Sequence, residues 1–225
     1  MLYDATCSDQ PDEEIFDREY WRARGALDEA AGGRGTVAYL RRAGSSWVLR
    51  HYRRGGLMAG VLGDRYLWTG AARTRSFVEW RLLRQLHAMG LPVPRAVAAR
   101  YQRSGPVYRA DLVTEELPTR QTLAQALVAG PLEPAQWAAI GRCIAALHAR
   151  GVQHADLNAH NLLLGAGDEV YVLDFDRGRI RARGPWEREV LARLERSLRK
   201  VTAGLPPDRF DEVARRALRA GIGAP

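Results

Sequence analysis

The amino-acid sequence predicts an α+β fold made of two lobes. Segments with strand patterns gather in the first half of the chain with one helix among them, whereas helical patterns dominate the second half. Segregated strands and helices are typical of the α+β class, since alternating elements would instead indicate a parallel sheet. We therefore expect a β-rich N-terminal lobe at 1–117, with an uncertain structure at 1–24, and a compact helical C-terminal lobe at 118–225.

Two strand pairs and one helix account for the predicted N-terminal lobe. The segments "GTVAYL" and "SSWVLRHY" flank a turn near 43–45, which is typical of a β-hairpin. The segments "LPVPRAVAARY" and "YRADLVTEEL" predict extended structure around a second turn at 104–106. Between the two pairs, "TRSFVEWRLLRQLHAMG" has apolar residues at helical spacing and ends at Gly90. Leu117–Pro118 breaks this pattern and sets the predicted boundary.

The predicted C-terminal lobe contains the clearest helix of the sequence. In "EPAQWAAIGRCIAALHARG", Pro134 opens the helix, a stripe of apolar side chains follows, and Gly151 ends it. The segments "NLLLG" and "EVYVLDFD" then predict a short β-pair that turns at 165–168. Two more helices are predicted from "PWEREVLARLERSLRKV" and "DRFDEVARRALRAG".

The composition is that of a globular and strongly basic protein. Of the 225 residues, 46% are hydrophobic and 27% are charged, which is an ordinary balance for a folded domain. The formal net charge is +8, and Lys200 is the single lysine among arginines. This excess favours anionic partners, although a preference for arginine over lysine also arises from codon composition alone.

The sequence predicts a cytoplasmic location. No apolar run approaches the ~20 residues that span a bilayer, and the first residues lack the basic and apolar regions of a signal peptide. The two cysteines, Cys7 and Cys143, are far apart along the chain, which suits a reducing compartment better than a disulfide scaffold.

The residues that indicate chemistry lie in "HADLNAHN", at 154–161, and in the later "VYVLDFD". Phosphoryl transfer needs a base that orients the acceptor hydroxyl, and oxygen ligands for a metal ion that bridges the nucleotide phosphates. Asp156 fits the first role, while Asn161 and Asp174 fit the second at one end of the predicted β-pair. Any one of these residues alone is more typical of a capped turn; the joint pattern favours a phosphotransferase.

Both motifs resemble those of the protein-kinase-like fold, H-R-D-L-x-x-x-N and D-F-G. Other segments resemble the 3-deoxy-D-manno-octulosonic acid (Kdo) kinases of the lipopolysaccharide-core kinase group. These segments are "RGT", "LRHYRRGG", "TRSFVEWRLL", "GLPVPRAVAAR", "RADLVTEEL" and "DLNAHNLLL" with "VYVLDFDRG". The resemblance covers roughly residues 32–180.

This resemblance implies an ATP-dependent kinase that phosphorylates the 4-hydroxyl of Kdo on lipid A precursor, at the cytoplasmic face of the inner membrane. By position it implies that Asp156 is the catalytic base and that Asn161 and Asp174 bind Mg²⁺. It also implies that adenine contacts the backbone at Glu115–Leu117. The expected partners are the Kdo-bearing lipid A precursor and the anionic inner-membrane surface, to which the protein attaches peripherally. Neither nucleic acid nor an obligate protein partner is expected.

Three features depart from the kinase pattern. Arg50 stands where the family has a strand lysine that holds the α and β phosphates, and we expect Glu79 to be its ion partner. Gly33 and Gly35 of "GGRGT" provide only a reduced phosphate-binding loop. Asp176 takes the place of the glycine of D-F-G, where it either stiffens the motif or adds a carboxylate.

The segment after Asp174 bears on the class of acceptor. Only 51 residues follow it in the 225-residue chain, and they contain no A-P-E sequence. A protein kinase needs an activation segment and a large helical lobe to hold a peptide. A sugar or another small acceptor is therefore expected.

Two other functions stay open at this point. One is another phosphotransferase of the same fold, for example one that acts on heptose or an aminoglycoside, because the catalytic residues would be the same. The other is a non-catalytic basic binding protein, although the six Trp and eight Tyr are scattered instead of interleaved with basic residues. The apolar stripe of "PWEREVLARLERSLRKV" would fit a membrane surface, but we expect it to pack in the core.

Overall fold

The computed structural model describes residues 1–6, 12–29, 37–42, 44–53 and 63–223. The chain divides into two compact units, one formed by Met1–Gln85 with Pro94–Glu116 and the other by Leu86–Val93 with Leu117–Pro225. The first unit is built mainly on a β-sheet and the second mainly on helices, which confirms the predicted α+β class. The sequence pattern did not indicate that Leu86–Val93 belong to the second unit.

The first unit contains, within the described residues, one antiparallel sheet of seven strands. The strands are β1 (Leu2–Tyr3), β2 (Leu27–Glu29), β3 (Val37–Arg42), β4 (Ser45–His51), β5 (Tyr66–Leu67), β6 (Ala96–Ser104) and β7 (Val107–Glu115). Their order is β1-β6-β7-β4-β3-β2, and β5 pairs with β7. Strand β4 therefore has a partner on both sides, and Arg50 lies opposite Val37 of β3 and Leu112 of β7.

Both strand pairs that the sequence predicted are confirmed. Strands β3 and β4 form an antiparallel pair, and so do β6 and β7, which has a bulge between Ala96 and Ala98. The predicted helix is α2 (Arg75–Ala88), whose Leu83 and Leu86 are almost fully buried. Beyond its end, Gly90, the predicted stop, adopts a positive φ of 71°.

The stretch that the sequence left uncertain is folded where the structure describes it. A 3₁₀ turn at Glu13–Phe16 leads into α1 (Arg18–Ala23), and Asp17 caps this helix by accepting a hydrogen bond from the Glu19 amide. The turn and the helix bury Ile15, Phe16 and Trp21 in the same apolar cluster as Leu40, Trp47 and Leu49 of the sheet. These contacts are long-range in sequence, so local patterns did not reveal them.

His51, at the end of β4, lies between the carboxylates of Asp111 and Asp64. His51 Nδ1 lies 2.7 Å from Asp111 Oδ1 on β7, and Nε2 lies 3.0 Å from Asp64 Oδ2. Each carboxylate also has an arginine partner, with Arg100 Nε 2.8 Å from Asp111 and Arg109 Nε 2.7 Å from Asp64. The hydrogen bond to Asp111, opposed by burial, raises the pKa of His51 above 6.5.

The second unit has four helices and two short strand pairs in the part of the chain that is described. They are α3 (Leu123–Ala129), α4 (Pro134–Ala149), β8 (Val152–Gln153), β9 (Leu162–Leu164), β10 (Val170–Val172), β11 (Arg179–Ile180), α5 (Trp186–Thr202) and α6 (Glu212–Gly223). The predicted helix α4 and the predicted pair β9–β10 are confirmed, and β8 pairs with β11. Helix α3 was missed, although Thr122 and Gln125 form a capping box whose T-x-x-Q spacing is visible in the sequence.

The last predicted helix begins later than the sequence indicated. We expected it from Asp208, but Pro207–Arg209 forms a 3₁₀ turn and α6 starts at Glu212. The Asp211 carboxylate accepts a hydrogen bond from the Ala214 amide and so caps the true start.

The burial of helix α5 decides between the two predictions for its apolar stripe, a place in the core or contact with a membrane surface. Four of the five side chains of the predicted stripe are at most 4% exposed, namely Trp186, Val190, Leu194 and Leu198, and the fifth, Leu191, is half-buried. The prediction that this face packs in the core is confirmed. The alternative, that this face lies on a membrane, is wrong because the face is already buried. None of the helices in the described segments is both long and apolar enough to cross a membrane.

Helices α4 and α6 approach each other at two glycines. A Cβ at Gly141 would lie 2.3 Å from the Leu218 carbonyl oxygen, and one at Gly221 would lie 2.1 Å from the Ala138 carbonyl oxygen. Both clashes are with backbone, which cannot rotate away. The close packing of α6 therefore fixes α4, the helix that leads into β8.

We expect Gly141→Ala to lower the free energy of unfolding by about 1–3 kcal/mol, because the added methyl group forces the two helices apart. Chemical denaturation monitored by circular dichroism measures this change. The matched control is Gly223→Ala on α6, where a Cβ meets nothing within 4 Å, and this variant should be as stable as the unchanged protein. Equal stability of the two variants would contradict the proposed close contact.

We expect His51 to contribute stability that depends on pH. Because its pKa is raised in the folded state, the contribution is fully present below the unfolded pKa and is lost as pH rises through the folded pKa. The difference in unfolding free energy between the unchanged protein and His51→Gln, measured against pH, isolates this contribution from those of other groups. The difference in unfolding free energy should shrink with rising pH. A difference that instead grows with pH would show that His51 is neutral in the folded state.

Candidate active site

The loop between β8 and β9 carries the predicted catalytic aspartate, and two asparagines hold its backbone. The Asp156 carbonyl oxygen accepts hydrogen bonds from Asn158 Nδ2 at 2.8 Å and from Asn161 Nδ2 at 3.0 Å. Asn158 Oδ1 in turn accepts from the His160 amide at 2.9 Å. Because the Asn161 nitrogen is fixed on the loop, its side-chain oxygen Oδ1 is the atom left for a ligand.

A chain of hydrogen bonds joins this loop to the end of β10. His154 Nε2 donates to the Leu173 carbonyl at 2.8 Å, and the Leu173 amide donates to the Asn161 carbonyl at 2.9 Å. His154 is 2% exposed, and its ring meets the Phe175 ring edge to face at 4.7 Å. Burial lowers the pKa of His154, so the ring stays neutral and its one proton is on Nε2. His154 therefore supports the loop by a hydrogen bond.

Asp174 follows Leu173 directly and has an unusual backbone. Its φ is 64°, and among the described residues it is the one non-glycine with a positive φ. A left-handed conformation costs an aspartate about 1 kcal/mol or more, which the surrounding structure must offset. Asp176 does not share this conformation. No glycine is required there, which explains how the chain accepts an aspartate at that position of D-F-G.

Two helices anchor the middle of the loop at Ala159, which is fully buried. The Ala159 carbonyl accepts a hydrogen bond from the Ala124 amide at 3.0 Å, in the first turn of α3. The first amides of a helix have no partner within it, so the loop satisfies one of them. The Ala159 amide donates to Ser197 Oγ of α5 at 3.1 Å.

The carboxylate of Asp156 is paired with an arginine that no pattern in the sequence indicated. Arg193 of α5 donates to Asp156 Oδ1 through Nε at 2.8 Å and also through Nη2. The two side chains are 48% and 44% exposed, so the pair lies at the surface of the unit. Helical spacing shows that Arg193 lies beside the apolar stripe of α5, but no local signal indicates its partner.

The donor set at the end of the β9–β10 pair fits a hard divalent cation. The Leu173 amide donates a hydrogen bond to the Asn161 carbonyl, and Asp174 is the next residue after Leu173. Asn161 and Asp174 together offer one amide oxygen and one carboxylate. Mg²⁺ takes oxygen ligands and few of them from the protein, so this pair suffices chemically. Among the residues that the structure describes, no three His, Cys, Asp or Glu side chains group as a metal site.

In the first unit, the predicted pairing of Arg50 with Glu79 is present. Arg50 Nη2 donates to Glu79 Oε2 and, at 3.1 Å, to the Tyr52 hydroxyl. Tyr52 also donates to Glu79, which is 1% exposed, and the Arg50 guanidinium lies 4.7 Å from the centre of the Tyr52 ring. Sequence reasoning missed Tyr52, although its spacing of two from Arg50 places both side chains on one face of an extended strand.

The backbone of the predicted adenine segment is partly used by the sheet. The Glu115 amide donates to the Arg95 carbonyl at 2.9 Å and the Glu116 amide to the Ser46 carbonyl at 2.8 Å. No backbone acceptor for the Leu117 amide appears among the described residues. Gly33 and Gly35, the predicted phosphate loop, lie outside the described residues.

Cys143 is a structural residue. It is buried in α4, its thiol lies 3.7 Å from the Val170 carbonyl, and burial raises the pKa of the thiol to about 12. The group is therefore protonated and unreactive at neutral pH. Cys7 lies outside the described residues.

Comparison with known proteins identifies the group to which these residues belong. The model of the lipopolysaccharide kinase (Kdo/WaaP) family matches residues 18–214. A 3-deoxy-D-manno-octulosonic acid kinase of Xanthomonas campestris pv. campestris (strain B100) is 45% identical over 224 residues, which cover 98% of this chain and 88% of the relative. Proteins of the same name from Stenotrophomonas maltophilia (strain R551-3) and Vibrio parahaemolyticus are 44% and 40% identical, with 89% of this chain covered in each case and 80% and 84% of the relatives.

These matches confirm the resemblance that the motifs indicated, together with the protein-kinase-like fold and the classification as a phosphotransferase. A kinase uses ATP as its phosphate donor, so ATP is a substrate. The similarity extends well beyond the predicted range of 32–180 in both directions. The chain belongs to the lipopolysaccharide kinase (Kdo/WaaP) family.

Proposed function

We propose that this protein transfers the γ-phosphoryl group of ATP to the 4-hydroxyl of Kdo on lipid A precursor, during synthesis of the lipopolysaccharide core. The observation that carries the proposal is the hydrogen-bonded chain from Asp156 through Asn161 to Leu173 and Asp174. These hydrogen bonds link the proposed base, Asp156, to the proposed oxygen ligands Asn161 and Asp174. The protein is also 45% identical to a relative named 3-deoxy-D-manno-octulosonic acid kinase.

In the proposed reaction, the acceptor hydroxyl oxygen attacks the γ-phosphorus of ATP. The bond between the γ-phosphorus and the bridging oxygen breaks, ADP leaves with that oxygen, and the hydroxyl proton passes to the carboxylate of Asp156. A phosphoryl transition state is loose, so the protein contributes mostly by positioning and by charge compensation. A base in the right place adds roughly 10²–10⁴-fold to the rate.

Asn161 and Asp174 are the residues that would hold Mg²⁺ in this proposal. The ion would neutralise the charge on the nucleotide phosphates. The part that this chain plays is to fix the two ligands, because the Asn161 amide nitrogen is bonded to the loop and Leu173 is held through both of its backbone groups.

We propose that Arg50 binds the α and β phosphates of ATP in place of a lysine. Its guanidinium is held by Glu79 and Tyr52, and arginine binds phosphate through a planar set of donors. The Leu117 amide is the proposed donor to adenine, with the Glu115 carbonyl as the acceptor, and Gly33 and Gly35 are the proposed phosphate-binding glycines.

The net charge of +8 supports an anionic acceptor and peripheral attachment to the cytoplasmic face of the inner membrane. The segment after the D-F-D motif has four exposed arginines at 177, 179, 181 and 183. Each basic residue close to an anionic lipid surface contributes roughly 1 kcal/mol of attraction. No comparable observation favours heptose, an aminoglycoside or a non-catalytic role.

The acceptor is tested directly by mass spectrometry of Kdo-bearing lipid A precursor after incubation with the protein, ATP and Mg²⁺. The precursor should gain the mass of one phosphate. The Asp156→Asn protein should lose roughly 10²–10⁴-fold in turnover, yet it should still be stabilised against heat by ATP, since the base does not bind the nucleotide.

A precursor of unchanged mass, with a protein that ATP does stabilise, would rule out the Kdo acceptor. Full turnover in the Asp156→Asn protein would instead remove Asp156 from the role of base.

Asp174→Ala should abolish the part of the ATP-induced rise in melting temperature that depends on Mg²⁺, because the variant loses the carboxylate ligand. Thermal melts with ATP, in the presence of Mg²⁺ or of a chelator, measure the effect. The matched control is Asp168→Ala, in the turn of the β9–β10 pair, whose carboxylate is 61% exposed and pairs with Arg142. If both variants keep the Mg²⁺-dependent shift, Asp174 is not a ligand.

A further inference from the structure

Helix α5 contacts the loop of the proposed base at two points that are one helical turn apart. Arg193 binds the Asp156 side chain, and Ser197 accepts a hydrogen bond from the Ala159 amide. Residues separated by four positions lie on the same face of a helix. The adjacent apolar face, with Leu194 and Leu198 at most 1% exposed, fixes the helix on the core. A rigid element therefore holds both the backbone and the carboxylate of this loop.

The geometry of the ion pair leaves one carboxylate oxygen for chemistry. Nε and Nη2 of Arg193 both donate to Asp156 Oδ1. Within the part of the chain that the structure describes, no hydrogen bond reaches Oδ2 of Asp156. Two donors from one planar guanidinium on a single oxygen restrict rotation of the carboxylate, so that the direction of Oδ2 is set.

A base at the surface needs such a restraint. The Asp156 side chain is 44% exposed, and the hydrogen bonds from Asn158 and Asn161 go to its main-chain carbonyl and not to its carboxylate. A base must lie within hydrogen-bond reach of the proton that it accepts, and a misplacement of about 1 Å can cost 10²-fold in rate. Exposed ion pairs contribute little to stability, so stability does not account for this one.

We propose that Arg193 is a positioning residue, which holds the carboxylate of Asp156 so that Oδ2 faces the acceptor hydroxyl. This inference rests on the proposed role of Asp156 as the base. It gives α5 a function in catalysis in addition to its place in the core, and it assigns Arg193 an action through Asp156 and not through the nucleotide or the acceptor.

The test compares Arg193→Ala with Arg196→Ala, which removes another exposed arginine of the same helix. We expect Arg193→Ala to lower kcat by about 10- to 100-fold, with the KM for ATP and for the acceptor each changed less than about threefold. Arg196→Ala should keep the kcat of the unchanged protein. A large rise in the acceptor KM at unchanged kcat would overturn the proposal, because Arg193 would then bind the acceptor.

The second arm is a double-mutant cycle with Asp156→Asn. If Arg193 acts through Asp156, removing it from the Asp156→Asn protein should cost less than about twofold, since there is no base left to position. Equal losses in the two backgrounds would overturn the proposal. Arg193→Lys supplies a variant that keeps the charge and most of the side chain; it too should lose turnover, because an ammonium lacks the planar donor pair.

Slow ATP hydrolysis, in which water replaces the acceptor hydroxyl, separates this inference from the proposed acceptor. A protein that does not phosphorylate the Kdo-bearing precursor, but whose ATP hydrolysis falls with Arg193→Ala and not with Arg196→Ala, would lose its proposed substrate while the role of Arg193 stands. Hydrolysis and transfer that are both unaffected by Arg193→Ala and by Arg193→Lys would refute that role.

Discussion

The hydrogen bond from the buried His154 ring to the Leu173 carbonyl is the interaction on which the candidate active site depends. It joins the start of the loop that carries Asp156 to the end of β10, and the Leu173 amide donates a hydrogen bond to the Asn161 carbonyl. Burial lowers the pKa of His154, so a neutral ring keeps its single proton on Nε2. A charged ring would have to bury a second N–H beside the apolar Phe175. The neutral donor thus fixes Leu173, and with it the neighbouring Asp174 in its left-handed conformation.

Other backbone groups of the loop are also held by hydrogen bonds, some from α3 and α5 and some from side chains of the loop itself. The Ala159 carbonyl accepts a hydrogen bond from α3, and the Ala159 amide donates one to α5. The Asp156 carbonyl accepts hydrogen bonds from the side-chain amides of two asparagines. The loop therefore has little freedom of its own, even though it contains no helix or strand. For a reaction in which positioning supplies most of the rate enhancement, a loop fixed at its backbone is a direct source of that positioning.

The sequence predicted what depends on local pattern. Alternation and helical spacing predicted the two strand pairs, α2, α4 and the β9–β10 pair. The spacing within "HADLNAHN" indicated Asp156 and Asn161 as candidates, whose roles stay predictions. Contacts between distant segments were beyond it: the burial of Trp21 on the sheet, and the pairing of Arg193 with Asp156. An arginine-rich chain offers many candidates for each carboxylate, so composition cannot select one.

The neighbours of Arg50 accommodate an arginine at a position where the kinase pattern has a lysine. A lysine would offer Glu79 a point charge, whereas the Arg50 guanidinium bonds both Glu79 and the Tyr52 hydroxyl and lies over the Tyr52 ring. Tyr52 completes the triangle by donating to Glu79. Since Tyr52 lies two residues after Arg50, the extended chain places both side chains on one face. There the N–H groups of the Arg50 guanidinium bind Glu79 and the Tyr52 hydroxyl, and its plane contacts the Tyr52 ring. The arginine and the tyrosine are therefore best understood as one unit, in which the Tyr52 ring contacts the guanidinium and the Tyr52 hydroxyl accepts a hydrogen bond from it.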